Sequence, residues 1–174
     1  MKSSYITALI TSATSIAFAC APAFADLRVA FIEGAPKDRF VVENTSACEL
    51  SGTLTIDIGA SSAGLIFDVT STGAGVEVFQ PIEIVSGANA LASVPEVVDG
   101  QSKVELSMTR LAPNATIAFT IDVDDTLGQR AITVSGSEIA GAAVTYNDGM
   151  INETAVFSSK ARASLPLKGC QPAT

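Results

Sequence analysis

The feature that most constrains this chain is a period of two. Apolar and polar residues alternate along short runs, and a strand puts successive side chains on opposite faces, whereas a helix does not. Thr53-Leu54-Thr55-Ile56-Asp57-Ile58 sets Leu54, Ile56 and Ile58 on one face. Lys103-Val104-Glu105-Leu106-Ser107-Met108-Thr109 repeats the pattern. Leu27, Val29 and Phe31 share a face, and so do Ile117, Phe119, Ile121 and Val123, with Thr120, Asp122 and Asp124 opposite. Each run predicts a half-buried strand with one wet face. Shorter apolar runs add strands at Phe40-Val41-Val42, Leu65-Ile66-Phe67, Val76-Glu77-Val78-Phe79, Ile82-Glu83-Ile84-Val85, Ile132-Thr133-Val134 and Ala143-Val144-Thr145-Tyr146. A last strand is expected within residues 155–165.

Turn residues punctuate these runs. Gly34-Ala35-Pro36, Ser51-Gly52, Thr72-Gly73-Ala74-Gly75, Asp99-Gly100 and Ala112-Pro113-Asn114 break the pattern, and Asp148-Gly149 predicts a hairpin tip. Pro81 marks a bulge or a sheet edge, because it has no N–H for the ladder. Apolar residues nowhere recur at 3.6 spacing over a dozen positions. Short strands at this spacing predict an all-β, two-sheet antiparallel sandwich. The turn Leu111-Ala112-Pro113-Asn114-Ala115-Thr116-Ile117 is similar to the proline turn before the sixth strand of bacterial Ig-like domains, which makes the sandwich Ig-like. The Ig hallmarks are incomplete, since the chain has no Trp and its cysteines are far apart.

Residues 1–25 read as an address. Lys2 gives a positive start, Ala8-Leu9-Ile10 opens an apolar stretch interrupted by hydroxyls, and Ala23-Phe24-Ala25 is a small-x-small cleavage pattern before Asp26. This is the layout of a secretory signal peptide with cleavage after Ala25. The apolar part is too short for a membrane anchor, and Ala17-Phe18-Ala19 before Cys20 is a poor lipobox. Residues 26–174 then form one domain, periplasmic or extracellular, with no membrane insertion. Cys48 and Cys170 remain, and a pair in an exported chain predicts a disulfide. It would close most of the mature chain into one loop, worth on the order of 4–5 kcal/mol in the chain-entropy account.

Composition excludes whole classes of chemistry. The chain has no His, which removes Ser-His-Asp triads, Cys-His pairs and histidine zinc sites. Its net charge of −8 argues against nucleic acid, whose phosphates require clustered Lys and Arg. Gly59-Ala60-Ser61-Ser62-Ala63-Gly64 fails as a nucleophile elbow, and no helix follows Thr72-Gly73-Ala74-Gly75 to make a dinucleotide site. Asn44-Thr45-Ser46, Asn114-Ala115-Thr116 and Asn152-Glu153-Thr154 are sequons that matter only in a eukaryotic secretory pathway. The chain is expected not to be an enzyme and to carry no cofactor other than calcium.

The candidate metal site is Asp122, Asp124 and Asp125, the densest acidic cluster. Calcium takes six to eight hard oxygens, so three neighbouring carboxylates begin such a site, with Glu33, Asp38 or Asp68 available to complete it. A calcium-loop match fails, because Leu127 stands where Gly is needed and Thr133 where Glu is needed. The charged turn Glu33-Gly34-Ala35-Pro36-Lys37-Asp38-Arg39 is a second loop that a rigid sandwich could use for binding.

Three segments carry a resemblance. They are Phe31-Ile32-Glu33-Gly34-Ala35-Pro36-Lys37-Asp38-Arg39-Phe40-Val41-Val42-Glu43-Asn44, Gly64-Leu65-Ile66-Phe67-Asp68 with Gly75-Val76-Glu77-Val78-Phe79-Gln80-Pro81, and Ile117-Ala118-Phe119-Thr120-Ile121-Asp122-Val123-Asp124-Asp125-Thr126-Leu127-Gly128. In these the chain resembles small exported proteins of marine alphaproteobacteria labelled "aggregation factor core", after a sponge cell-adhesion proteoglycan. The resemblance implies adhesion, of a kind that can depend on calcium, and assigns no activity to particular residues. Two functions follow from the sequence. One is an exported, non-enzymatic sandwich acting by contact with a protein or polysaccharide surface. The other is a small carbohydrate- or protein-binding module that uses its loops, with Phe79 or Tyr146 as an exposed ring.

Overall fold

The computed structural model describes residues 26–70, 80–126 and 134–170. Among these residues the strands are β1 (Asp26–Ile32), β2 (Asp38–Asn44), β3 (Leu50–Asp57), β4 (Leu65–Phe67), β5 (Glu83–Ser86), β6 (Lys103–Leu111), β7 (Thr116–Ile121), β8 (Val123–Asp125), β9 (Ala143–Asn147), β10 (Asn152–Val156) and β11 (Arg162–Pro166). One turn of 3-10 helix, Ala88–Ala90, is the only helical element among them. The order is β11-β1-β2-β7-β5 in a five-stranded sheet, β10-β9-β3-β6 in a four-stranded sheet and β4-β8 in a two-stranded ribbon. All the pairings are antiparallel. The chain is therefore an all-β antiparallel sandwich, as the alternation predicts.

Alternation converts directly into a core. Leu27, Val29 and Phe31 of β1, Phe40 and Val42 of β2, Leu54 and Ile56 of β3, and Val104, Leu106 and Met108 of β6 are all buried between the sheets. Phe40 sits at the centre, with its ring centroid 5.1 Å from that of Phe119, 5.2 Å from Phe31, 6.4 Å from Phe67 and 6.5 Å from Phe157. Contacts of this kind add to area burial. Between Leu50 and Gly52 the β3–β6 register shifts, with an extra residue on β6, so that Met108 and Leu111 both face inward. Gly52 has φ +114°, and a Cβ there would lie 2.4 Å from the Asn147 carbonyl oxygen, so only glycine fits.

Two sequence expectations change. The run from Ile117 to Val123 is two strands, because the chain leaves the five-stranded sheet at Asp122 and pairs β8 with β4 instead. The segment expected to hold one final strand holds parts of two, β10 and β11, separated by a turn in which Ala161 takes φ +54°. An Ig-like order places A-B-E-D against C-F-G. The run β1-β2-β7-β5 and the neighbours β10-β9-β3 have counterparts in it, but β6 follows β5 in the chain and returns to flank β3. Pro81 precedes β5, which is an edge strand. The expected strands at Val76-Glu77-Val78-Phe79 and most of Ile132-Thr133-Val134 lie outside the described residues, as do the signal segment 1–25, Leu127 and Thr133. Cys48 and Cys170 form a disulfide with Cα atoms 5.6 Å apart, spanning 122 residues of sequence.

Candidate functional site

One end of the sandwich gathers carboxylates. Phe67 pairs with Val123 across β4 and β8, and both are buried. The Asp68 amide donates to the Asp122 carbonyl at 3.2 Å, continuing that ladder by one step. Strand alternation then turns Asp68, Asp122 and Asp124 to the face opposite Phe67 and Val123. On the other side of β4, the Phe67 amide donates to the Gln101 carbonyl and the Gly100 amide to the Phe67 carbonyl. That turn delivers Asp99, whose Oδ1 accepts from the amides of Val69 at 3.0 Å and Thr70 at 3.2 Å. Asp38 enters from the start of β2, opposite Ile121, and its Oδ1 accepts from the Gly34 amide at 3.0 Å.

Asp68, Asp122 and Asp38 resist ionisation. Asp68 is pushed up to about 6, first by burial and then by Asp99, Asp122 and Asp124. Asp122 rises to about 6 through burial and the charge of Asp124, opposed by the Val123 amide and Lys37. Asp38 rises to about 7, mainly through burial, with Asp122 and Glu33 adding repulsion against the amides of Gly34 and Val123. Lys37 acts on Asp122 as a cation, and its Nζ is held by the Pro81 carbonyl at 2.9 Å and by Glu83 at 3.1 Å. Asp68 is fully buried, and its side-chain hydrogen bond is with the Asp99 carboxyl, a contact that needs a shared proton and so raises Asp68 further.

The sequence-predicted trio is thus divided. Asp122 and Asp124 share a face, and Asp124 Oδ1 accepts from the Asp125 amide at 2.9 Å. Asp125 pairs with Leu65 and alternates to the opposite face. Asp68 joins Asp122 and Asp124, Asp38 joins Asp122, and Asp99 is the member that sequence reasoning missed. Its signal was an Asp-Gly turn, which reads as punctuation. Among the described residues no three His, Cys, Asp or Glu side chains are placed so that they could hold a metal ion.

A second surface lies on the outer face of the four-stranded sheet. The register places Glu105, Thr55, Thr145 and Thr154 in one row across β6, β3, β9 and β10, and Ser107, Thr53, Asn147 and Asn152 in the next. Lys103, Asp57, Ala143 and Val156 make a third row. Four strands at about 4.8 Å spacing give a band about 14 Å wide, dense in hydroxyls and amides. The Thr145 and Thr154 hydroxyls lie 2.9 Å apart. At the β6 edge a cleft of about 500 Å³ runs between Ser93, Val94, Pro95 and Glu96 and the outward side chains of Lys103, Glu105 and Ser107. Tyr146 belongs to neither surface. It is 1% exposed, and its hydroxyl donates to the Ser51 carbonyl at 2.7 Å, so it is a core ring and not an exposed anchor. Phe79 lies outside the described residues. No protein family, curated protein or solved structure matches this chain.

Proposed function

We propose that this protein is an exported, non-enzymatic β-sandwich that works by surface contact, in an envelope, matrix or adhesion setting. The observation that carries the reading is the outer face of the four-stranded sheet, with its three rows of outward side chains. A flat band of hydroxyls and amides on a rigid sheet can form many short hydrogen bonds to a protein or polysaccharide at little ordering cost. The Cys48–Cys170 disulfide supports export, since such bonds persist in oxidising compartments. The signal-like segment 1–25 and the resemblance to aggregation-factor-core proteins point the same way. The Ig-like label belongs with this proposal as the finer description of the fold.

Beads coated with the purified protein test it. They should self-aggregate or be retained on immobilised neutral and acidic polysaccharides. The double substitution Thr55→Lys with Thr145→Lys should reduce that at least tenfold, while Arg28→Ser on the other sheet leaves it unchanged. Equal retention of the double variant, or no self-aggregation or retention by the wild type, removes the reading.

A further inference from the structure

The edge of a sheet is a row of backbone donors and acceptors, and proteins normally blunt it. In the two larger sheets the outer strands β5, β10 and β11 are short, with four, five and five residues. A register shift falls inside β5, and Pro166 ends β11. The remaining outer strand, β6, is nine residues long, and its register with β3 is unbroken from Lys103 to Met108. Two hydrogen bonds fix the direction of its backbone groups. The Ile58 amide donates to the Ser102 carbonyl on the β3 side, and the Ala92 amide donates to the Ser107 carbonyl on the other side. Alternation along an antiparallel strand then turns the amides and carbonyls of Lys103 and Glu105, and the amide of Ser107, away from β3. The preceding segment covers the far half of this edge, where Leu91 bridges Met108. Beyond Ala92 it draws off and leaves the cleft of about 500 Å³. Gln101 Nε2 donates to the Lys103 carbonyl at 2.6 Å, and among the described residues no backbone group pairs with Glu105 on that side.

We propose that this edge docks an extended, basic polypeptide segment, which adds to the sheet as a further strand along residues 103–107. The charge in the cleft selects the partner. Lys103 Nζ is held by Asp57 at 3.3 Å, whereas Glu96 and Glu105 have no cation partner among the described residues. Two uncompensated carboxylates thus face the cleft, on a chain of net charge −8. A lysine or arginine on an added strand stands opposite or diagonal to Glu105, within reach of it. Val94, 56% exposed, and Pro95 form the facing wall and offer apolar surface to the side chains between the basic ones. A second copy of this chain fits less well, because it brings the same negative charge and its own wall of residues 93–96. The proposal concerns the edge and not the outer face of the sheet, so failure of either reading leaves the other standing.

Fluorescence anisotropy with a labelled Lys-Val-Lys-Val-Lys-Val peptide tests the proposal. One control is the matching Glu-Val repeat, and the other is the Lys-Val repeat N-methylated throughout, which keeps the charge and loses the backbone donors. The Lys-Val peptide should bind saturably, at least tenfold more tightly than either control. At saturation it should slow hydrogen exchange of the Glu105 amide at least tenfold. Glu105→Gln removes one charge and should weaken binding severalfold. Glu105→Pro also removes an amide that β3 does not use, a position where a sheet tolerates proline, and should weaken binding at least tenfold further. The N-methylated peptide decides the matter if Glu105→Pro does not fold. Three results overturn the proposal: no saturable binding at about 1 mM peptide, equal binding of either control, or equal affinity in Glu105→Pro and Glu105→Gln. Sedimentation that shows a dimer dissolved by Glu105→Pro assigns the edge to a second copy and overturns it as well.

Discussion

Asp38 shows how much a single side chain can take from its neighbourhood. It is 2% exposed, and burial foremost, helped by Asp122 and Glu33, pushes its carboxyl up to about 7. Lys37 opposes the rise at the neighbouring Asp122. In the unfolded chain an aspartate titrates near 3.9. Between about pH 4 and pH 7 the native state therefore holds a proton that the unfolded chain has released. Stability must fall as pH rises through that window and level off above it. Asp68 and Asp122 shift in the same direction and add to the slope. Asp38→Asn keeps an oxygen for the Gly34 amide while removing the titration. In EDTA it should stabilise the protein at about pH 7.5 by no more than about 4 kcal/mol and flatten the slope. Urea denaturation at about pH 5 and pH 7.5 checks this, and an unchanged slope contradicts it. The sequence shows Asp38 as one charge in a charged turn. It does not show the burial, which depends on β2 meeting β7 some eighty residues later. Asn44 was misleading in the same way. Its motif reads as a sequon, yet the side chain is fully buried. Its Nδ2 donates to the carbonyls of Cys48, Leu111 and Ala112, and its Oδ1 accepts from Ser46.

Strands were legible where alternation was long, as in β1, β3, β6 and β7, because half-burial writes itself into the residue pattern. The β4–β8 ribbon was not legible as a separate unit. Its strands span only Leu65–Phe67 and Val123–Asp125, and nothing local says that a run continuing past Ile121 should change partners. The β9–β10 hairpin lies at the other extreme, since its tip is written in Asp148-Gly149. Asp148 Oδ1 accepts from the amides of Met150 at 2.8 Å and Ile151 at 2.6 Å, and Asn147 Oδ1 accepts from the Gly149 amide at 2.8 Å. Those amides hold the Asp148 carboxyl below its ordinary range. Gly149 has φ +90°, and a Cβ there would meet nothing within 4 Å. Gly149→Ala thus isolates backbone strain from steric clash, and should cost about 1–2 kcal/mol in thermal or chemical unfolding. A neutral result would mean that the tip relaxes to negative φ without disturbing the Asn147–Asn152 pairing.

At the scale of the whole molecule the sandwich class follows from pattern, whereas strand order and the meeting of Asp68 with Asp99 do not. Both depend on which distant segments pair, and period-two runs carry no address for their partners. The disulfide is the one long-range contact that counting could reach, because setting aside Cys20 in the signal-like segment leaves two of the three cysteines and a single pairing. Cys48 lies in the β2–β3 connection and Cys170 beyond β11, so the bridge fastens the region after an edge strand of the five-stranded sheet to an inner turn. Asn44 braces the same turn through the Cys48 carbonyl at 2.8 Å. Spanning 122 residues, the bridge removes much of the freedom of the unfolded chain, so its effect falls chiefly on that state. The double variant Cys48→Ala with Cys170→Ala should lose about 2–5 kcal/mol. Its unfolded state should also be more expanded, which steepens the dependence on denaturant. Urea unfolding of the oxidised wild type, the reduced wild type and the double variant separates these effects. The last two should coincide, with a lower midpoint and a larger slope than the first. A midpoint shift at constant slope would place the contribution in the packing of the native tail instead.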